Sequence, residues 1–139
     1  MPTVPVADAV VQATGTSGLK TGLVAADAAL HLGRCTVESL HEAVARVSTP
    51  MSSTALAKLV DLVEPLAESP GESLTRMVLR TAGLPVRSQV RISDGHGRLA
   101  RVDFLVGDKV VVEFDGQVKY TGAGGDELFR EKRREDLAT

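Results

Sequence analysis

Three acidic residues, Asp103, Glu113 and Asp115, lie within two apolar segments that have the composition of β-strands. The segments run from Arg98 to Val106 and from Lys109 to Asp115. A carboxylate placed where apolar side chains should pack loses hydration, and neighbouring carboxylates repel each other. Such a cluster is typical of a site that holds a positive ion, and Mg²⁺ suits it because this ion prefers carboxylate oxygens and keeps several waters. The matching reaction is phosphodiester hydrolysis, in which the ion orients water and stabilises charge on the phosphate.

The turn between the two segments decides whether these carboxylates meet. A shift of one residue in the pairing moves a strand side chain to the other face of the sheet. With Gly107-Asp108 as a two-residue turn, Asp103 would pair with Val112 and face away from Glu113. A three-residue turn that includes Lys109 would place Asp103 opposite Glu113. The metal interpretation therefore predicts the longer turn.

Composition limits the classes of function. The 139 residues, 43% of them hydrophobic, suffice for one ordinary domain or for a small domain with a helical appendage. Aromatic residues make up 3% and Trp is absent, which argues against binding nucleic acid by base stacking. The net charge of -2 provides no overall positive field, so DNA binding would require Lys and Arg to lie on one face.

Cysteine usage and hydropathy indicate the compartment. Cys35 is the single cysteine, which excludes an internal disulfide and a cysteine-based zinc site and fits a reducing environment. No apolar run approaches membrane-spanning length. We therefore expect a cytoplasmic protein with no membrane partner.

Residues 4-66 have apolar side chains at helical spacing, with breaks at Gly15, Gly33 and Ser48-Thr49-Pro50. This pattern predicts four short helices, the third of them capped by Thr36. The stretch contains no glycine-rich phosphate loop, no metal-ligand spacing and no basic stripe. It is typical of a packing or partner-binding module.

A fifth helix is predicted to begin at Ser69-Pro70-Gly71-Glu72, where Ser69 and Glu72 form a capping box, and to end at Gly83. Its buried side is predicted to consist of Leu74, Met77, Val78 and Leu79. Three strands follow, the first over Val86 to Ser93 with a turn after it at residues 94-97. A charged helix over residues 126-137 comes last.

This order of elements, with its acidic residues, resembles the PD-(D/E)XK nuclease superfamily, and in particular the Vsr-like nuclease domain of actinobacterial AbiEi-antitoxin-like proteins. The resemblance covers roughly residues 64-139 and rests on four blocks. They are Ala67-Glu68-Ser69-Pro70-Gly71-Glu72-Ser73-Leu74, Arg101-Val102-Asp103-Phe104, Val112-Glu113-Phe114-Asp115-Gly116 and Lys132-Arg133-Arg134-Glu135-Asp136. It implies an α+β fold with an α/β-type core. A helical N-terminal module, 1-66, would precede a truncated restriction-endonuclease-like αβββα core, 67-139.

The resemblance also implies roles for individual residues. Asp103 and Glu113 would be metal ligands, with the backbone carbonyl of Phe114 as a third and Glu72 as an auxiliary acid from the helix. The cap of the fifth helix explains Glu72 equally well. Asp115 stands where the superfamily motif usually has Lys, so either it helps to hold the metal or the site is altered.

Basic residues near the C-terminus complete the candidate site. Lys119 is the candidate substitute for the motif lysine, and Gln89 in the first strand is a minor candidate. The residues expected to contact DNA phosphates are Arg130, Lys132, Arg133 and Arg134. The alternative interpretation is a solvated helical face, with the strand acids facing solvent and paired with Arg101 or Lys119.

Longer proteins of this kind carry a winged helix in front and continue past the last helix with another strand and helix. This chain stops at Leu137-Ala138-Thr139. We therefore expect an open sheet edge that is covered by the N-terminal helices or paired in a homodimer.

The sequence thus predicts a DNA endonuclease that depends on Mg²⁺ (or Mn²⁺), in the role of a small restriction or defence protein of the phage or prophage type. The alternative is a catalytically inactive nuclease-fold protein that acts as an antitoxin-like, exclusion or DNA-binding factor. A third interpretation is a protein-interaction domain whose N-terminal helices bind a host factor.

Overall fold

The structure of the chain, a computed structural model, describes residues 1–47 and 53–115. In these ranges it contains five α-helices followed by three β-strands, which is the predicted α+β class. The helices are α1 (Val6–Ser17), α2 (Leu19–His31), α3 (Val37–Ala45), α4 (Ser53–Leu62) and α5 (Pro70–Thr81). The strands are β1 (Val86–Ser93), β2 (Leu99–Val106) and β3 (Val110–Val112). None of the helices in the described ranges is both long and apolar enough to cross a bilayer.

Most of the predicted helix ends agree with the structure. Thr36 caps α3 as expected: its hydroxyl accepts a hydrogen bond from the Ser39 amide at 3.1 Å, and the Ser39 hydroxyl accepts one from the Thr36 amide at 3.0 Å. Gly15 was expected to end the first helix, but α1 continues to Ser17. One glycine inside a helix costs only about 1 kcal/mol, which packing of the helix can offset. The predicted break at residues 48-50 lies outside the described residues.

The helices pack around one apolar cluster to which α5 also contributes. Its buried members are Ala7, Val10, Val11, Leu23, Ala26, Ala29, Leu30, Leu40, Ala43, Leu56, Leu59 and Met77. Met77 lies in α5, so this helix is part of the same core as α1 to α4. The division into 1-66 and 67-139 stays a prediction.

The buried face of α5 differs from the predicted one. Val78 was expected to be buried but is 62% exposed. The buried residues of the helix are Glu72, Ser73, Arg76 and Met77. Three of these four are polar, and a search for apolar periodicity does not recognise a face of this kind.

A buried ion pair makes this polar face possible. Arg76 and Asp27 are 0% and 1% exposed, and Arg76 Nη2 lies 2.5 Å from Asp27 Oδ2. Arg76 Nη2 also donates to the Leu62 carbonyl at 2.8 Å, while Asp27 Oδ1 accepts from the Glu64 amide at 3.0 Å. Glu64 adds a second carboxylate 3.3 Å from Arg76 Nη1, without hydrogen-bond geometry. The network joins α2, α5 and the segment that follows α4.

The three strands form an antiparallel sheet in the order β1-β2-β3. Val102 and Phe104 of the central strand are 4% and 1% exposed. α5 touches the sheet near its start, where Glu72 accepts a hydrogen bond from Gln89 of β1, and Glu68 just before the helix forms an ion pair of 3.0 Å with Arg101 of β2. The helical core and the sheet are therefore linked through α5.

We expect Asp27→Ala to destabilise the protein by about 3–5 kcal/mol, because the change leaves the Arg76 guanidinium buried without its main countercharge. Urea unfolding of the variant and the wild type measures the difference. The matched control is Asp8→Ala, which breaks the more exposed Asp8–Arg46 pair of 2.7 Å. That change should cost less than about 1 kcal/mol. Equal losses for the two variants would contradict the importance of the buried pair.

The stability of the turn between β1 and β2 should depend on pH because of the Asp94 carboxylate. The Asp94 carboxylate accepts hydrogen bonds from the amides of His96 at 2.7 Å and Arg98 at 3.2 Å. The His96 amide is the main cause that lowers the pKa of Asp94. Since the folded-state pKa is the lower one, this stabilisation is present above the unfolded-state pKa and is lost as pH falls through the folded-state pKa.

We therefore expect Asp94→Ala to be less stable than the wild type at neutral pH and to approach it in that acidic range. Urea unfolding at a series of pH values measures both differences. Glu42→Ala, at an exposed position of α3, is the control and should show no such convergence. An Asp94→Ala difference that persists at the lowest pH would rule out this role of the carboxylate.

Candidate active site

The hairpin between β2 and β3 has the turn length that the metal interpretation requires. Phe104 pairs with Val112 and Val106 pairs with Val110, which leaves residues 107-109 as a three-residue turn. The last pair, Phe104 with Val112, brings Glu113 next to the level of Asp103, and the register continued by one residue would place the two opposite each other. The predicted turn length is confirmed, whereas the metal site itself stays a prediction.

The turn is held by residues suited to its backbone. Gly107 and Asp108 have φ angles of 57° and 60°, in the left-handed region that glycine and aspartate tolerate best. The Lys109 amide donates to the Val106 carbonyl at 3.2 Å, and the Asp108 carboxylate pairs with Arg87 on β1. These contacts stabilise the register that aligns the two acids.

The third strand is shorter than predicted. It was expected to reach Asp115 but ends at Val112, so residues 113-115 follow the strand. Glu113 and Asp115 are exposed and Asp103 is half-buried. The expectation that the acids are desolvated among apolar neighbours is therefore wrong for Glu113 and Asp115, because both lie beyond the end of β3. The strand alternation that was expected to align Glu113 with Asp115 also stops before either residue.

Asp103 holds the segment that follows β3. Its Oδ2 accepts a hydrogen bond from the Phe114 amide at 2.8 Å. The bond fixes Phe114 next to Asp103 in the absence of strand pairing. The predicted ligand residues Asp103, Glu113 and Phe114 are thus brought to one end of the hairpin.

Glu72 lies at the start of α5, is 8% exposed, and accepts three hydrogen bonds. Its Oε1 accepts from the Ser69 hydroxyl at 3.1 Å, and its Oε2 accepts from the Glu68 amide at 3.1 Å and from Gln89 Nε2 at 2.9 Å. Ser69 caps the helix as predicted, since its hydroxyl accepts from the Glu72 amide at 3.2 Å. The return bond differs from a capping box because Glu72 accepts from the Glu68 amide and not from that of Ser69.

Gln89 connects Glu72 to the strand acids. In β1 its neighbours Ser88 and Val90 pair with Phe104 and Val102, so Gln89 stands across from Asp103. Gln89 was predicted only as a minor candidate, because a polar residue in a strand carries no specific signal, and its contact with Glu72 emerges from the structure. Gln89 and Asp103 therefore lie side by side on β1 and β2, and Glu113 follows directly after the β3 residue that pairs with Phe104. We call these three residues the row, and the hydrogen bond from Gln89 attaches Glu72 to it.

Phe114 packs on the start of α5. A Cβ atom built on Gly71 would lie 2.0 Å from Cε1 of the Phe114 ring, so only glycine leaves room for the ring in this position. The ring is nevertheless 41% exposed. Gly71 is a residue that the sequence interpretation treated only as part of a helix cap, and its packing role depends on a contact between distant segments.

The described carboxylates suit a metal site with two protein carboxylates better than one with three side-chain ligands. Among residues 1–47 and 53–115, no three His, Cys, Asp or Glu side chains are grouped so that they could hold a metal ion. The expected convergence of three acids is therefore not found in this part of the chain, and Asp115 does not join Asp103 and Glu113 in such a group. Two carboxylates still suit Mg²⁺, which is commonly bound by one or two of them and completes its shell with water.

The predicted basic residues lie outside the described residues. They are Lys119, Arg130, Lys132, Arg133 and Arg134. Their roles at the phosphates and as the substitute for the motif lysine stay predictions. Arg101, which the alternative interpretation paired with the strand acids, forms its ion pair of 3.0 Å with Glu68.

Comparison with protein-family models, with curated proteins and with solved structures finds no match for this chain. The resemblance to the PD-(D/E)XK superfamily therefore stays a prediction based on the motifs.

We expect Gly71→Ala to displace the Phe114 ring and to weaken the hydrogen bond between the Phe114 amide and Asp103. Hydrogen exchange of the Phe114 amide should become faster. The matched background is Phe114→Ala, in which no ring opposes the new methyl group. There, Gly71→Ala should stabilise the protein by up to about 1 kcal/mol, as alanine favours helix over glycine. Unchanged exchange in Gly71→Ala would contradict the proposed contact.

Proposed function

We propose that the protein is a metal-dependent DNA endonuclease that hydrolyses phosphodiester bonds with Mg²⁺ or Mn²⁺. The observation that carries the proposal is the three-residue turn, because its register aligns Asp103 with Glu113. The proposal extends to a cytoplasmic location, a part in restricting foreign or phage DNA, and membership of the PD-(D/E)XK superfamily.

In this proposal Asp103 and Glu113 hold the cation, and the Phe114 carbonyl is the third ligand. Asp103 has an oxygen for each of two tasks, since Oδ2 accepts from the Phe114 amide and Oδ1 can face the ion. When bound, the ion makes its water more acidic and stabilises negative charge on the phosphate. Asp115 orients water at the exposed end of the site.

In this proposal Glu72 acts from α5, where Gln89 holds it by a hydrogen bond. Its carboxylate is buried and held by three donors, so it is kept in one orientation. A fixed carboxylate of this kind can orient a water or a ligand of the ion at little cost in reorganisation. Its place in the helix cap and its place in the site are therefore compatible.

DNA is bound in this proposal through its phosphates. Few aromatic side chains are present, so contacts by Lys and Arg are the available mode. Lys119, Arg130, Lys132, Arg133 and Arg134 are assigned to this task. A homodimer formed along a sheet edge would bring two such sites together. Among residues 1–47 and 53–115, β3 is the last strand of the sheet on its side, and its Val110 and Val111 are 55% and 44% exposed.

A second candidate function is a nuclease-fold protein without cutting activity, which acts as an antitoxin-like, exclusion or DNA-binding factor. Two observations favour it. Asp115 occupies the position where the superfamily motif usually has Lys, and no group of three potential ligands is found among the described residues. A protein of this kind would retain the row of polar residues but would not turn over DNA.

We expect the purified protein to cut plasmid or phage DNA in Mg²⁺ or Mn²⁺ and not in EDTA. Asp103→Asn and Glu113→Gln keep the shape of each side chain and remove its charge. Each should slow cutting on the order of 100-fold or more, equivalent to about 2.7 kcal/mol of activation free energy. Single-turnover cleavage followed on gels measures the rates.

The matched control is Glu42→Gln, which removes one exposed carboxylate from α3 and should cut at the wild-type rate. Cutting that survives both Asp103→Asn and Glu113→Gln would refute this site. A gel shift of DNA without cutting under every metal condition would favour the second candidate. No effect on DNA at all would point to the protein-interaction domain.

A further inference from the structure

Gln89 has a backbone conformation that its position in the sheet does not require. Its φ angle is 50°, although Ser88 and Val90 on either side of it pair regularly with β2. A residue with a side chain rarely adopts this left-handed conformation within a strand, and doing so costs free energy. Such strain persists where the surrounding contacts enforce it, and it is concentrated at functional sites.

The side chain of Gln89 shows which contact enforces the conformation. Its Nε2 donates to Oε2 of Glu72 at 2.9 Å, across the space between β1 and α5. An ionised carboxylate is an acceptor only, so the nitrogen of the amide faces Glu72 and the oxygen faces away. The orientation of the amide group is thereby fixed.

The oxygen of the same amide has no such contact. Oε1 of Gln89 is buried and has no hydrogen-bond partner among the described residues. A buried acceptor of this kind is costly and is normally satisfied. Gln89 also stands across from Asp103, next to the carboxylates of the candidate site. The unsatisfied oxygen and the left-handed backbone are two costs that accompany the hydrogen bond to Glu72.

We propose that Gln89 is a positioning residue of the acid site, an inference that rests on the proposed nuclease function. Its Nε2 holds the Glu72 carboxylate in a fixed orientation beside Asp103. The strained backbone is retained because it directs the amide to Glu72. Residues that orient groups around a metal typically change affinity or activity by about 10–100-fold when they are replaced.

Two variants separate this role from a structural one. Gln89→Met keeps the length and approximate volume of the side chain but removes both hydrogen-bonding atoms. Gln89→Gly removes the side chain and relieves the backbone strain, because glycine adopts a positive φ without penalty. Relative to each other, Gln89→Gly should be the more stable protein in urea unfolding. Both should nevertheless show the same loss of function.

We expect both variants to cut DNA about 10–100-fold more slowly than the wild type at saturating DNA, and to bind Mn²⁺ more weakly. Single-turnover cleavage measures the first effect, and electron paramagnetic resonance of free Mn²⁺ measures the second. The matched control is Gln12→Met, the same substitution at an exposed position of α1, which should leave both quantities unchanged.

The outcomes separate this inference from the function on which it rests. Cutting that is abolished by Asp103→Asn but unchanged in both Gln89 variants would overturn the role of Gln89 and leave the nuclease function standing. A loss of cutting confined to the less stable variant would reveal a structural role and overturn it as well. A wild-type protein that neither cuts DNA nor binds Mn²⁺ would overturn both.

Discussion

The buried pair of Arg76 and Asp27 is the constraint on which the placement of the candidate site depends. Two fully buried charges are tolerated only when they are paired and hydrogen-bonded, and this pair therefore allows one position of α5 against α2. Glu72 lies one turn before Arg76 in the same helix, on the same face. By fixing the rotation of α5 about its axis, the ion pair also directs Glu72. A carboxylate of the site is thus oriented by an interaction that lies outside it.

Residues 68-72, at the start of α5 and just before it, connect the helical core to the sheet. Three contacts of different kinds converge there: the hydrogen bond from Gln89 to Glu72, the packing of Phe114 on Gly71, and the ion pair of Glu68 with Arg101. Together these contacts connect the helical core to β1, to β2 and to the segment that follows β3. The helices thereby contribute to the site through α5, although α1 to α4 contain none of its candidate residues.

Features that depend on neighbouring residues were predicted better than features that depend on contacts between distant residues. The cap of α5 at Ser69 and the end of this helix before Gly83 depend on neighbouring residues, and both were predicted correctly. The buried side of α5 was predicted correctly for Met77 and wrongly for Val78. The burial of Arg76 was missed because its partner Asp27 is 49 residues away along the chain. The packing role of Gly71 was missed for the same reason, because the Phe114 ring that it accommodates belongs to a distant segment. In the candidate site, the register could be stated as a condition on the turn, but the role of Gln89 required the pairing of β1 with β2 to be known.

The three-residue turn at 107-109 determines whether Asp103 and Glu113 lie on the same face of the sheet. A turn shorter by one residue would pair Asp103 with Val112 and separate the two acids onto opposite faces. The left-handed conformations of Gly107 and Asp108 permit the longer turn, and the pairing of Asp108 with Arg87 supports it. β3 ends at Val112, and Glu113 directly after it is exposed to solvent while Asp103 is half-buried. One carboxylate accessible to a hydrated ion and one fixed by the Phe114 amide form a pair suited to a cation that retains water, which is the kind of ion that the proposed hydrolysis would use.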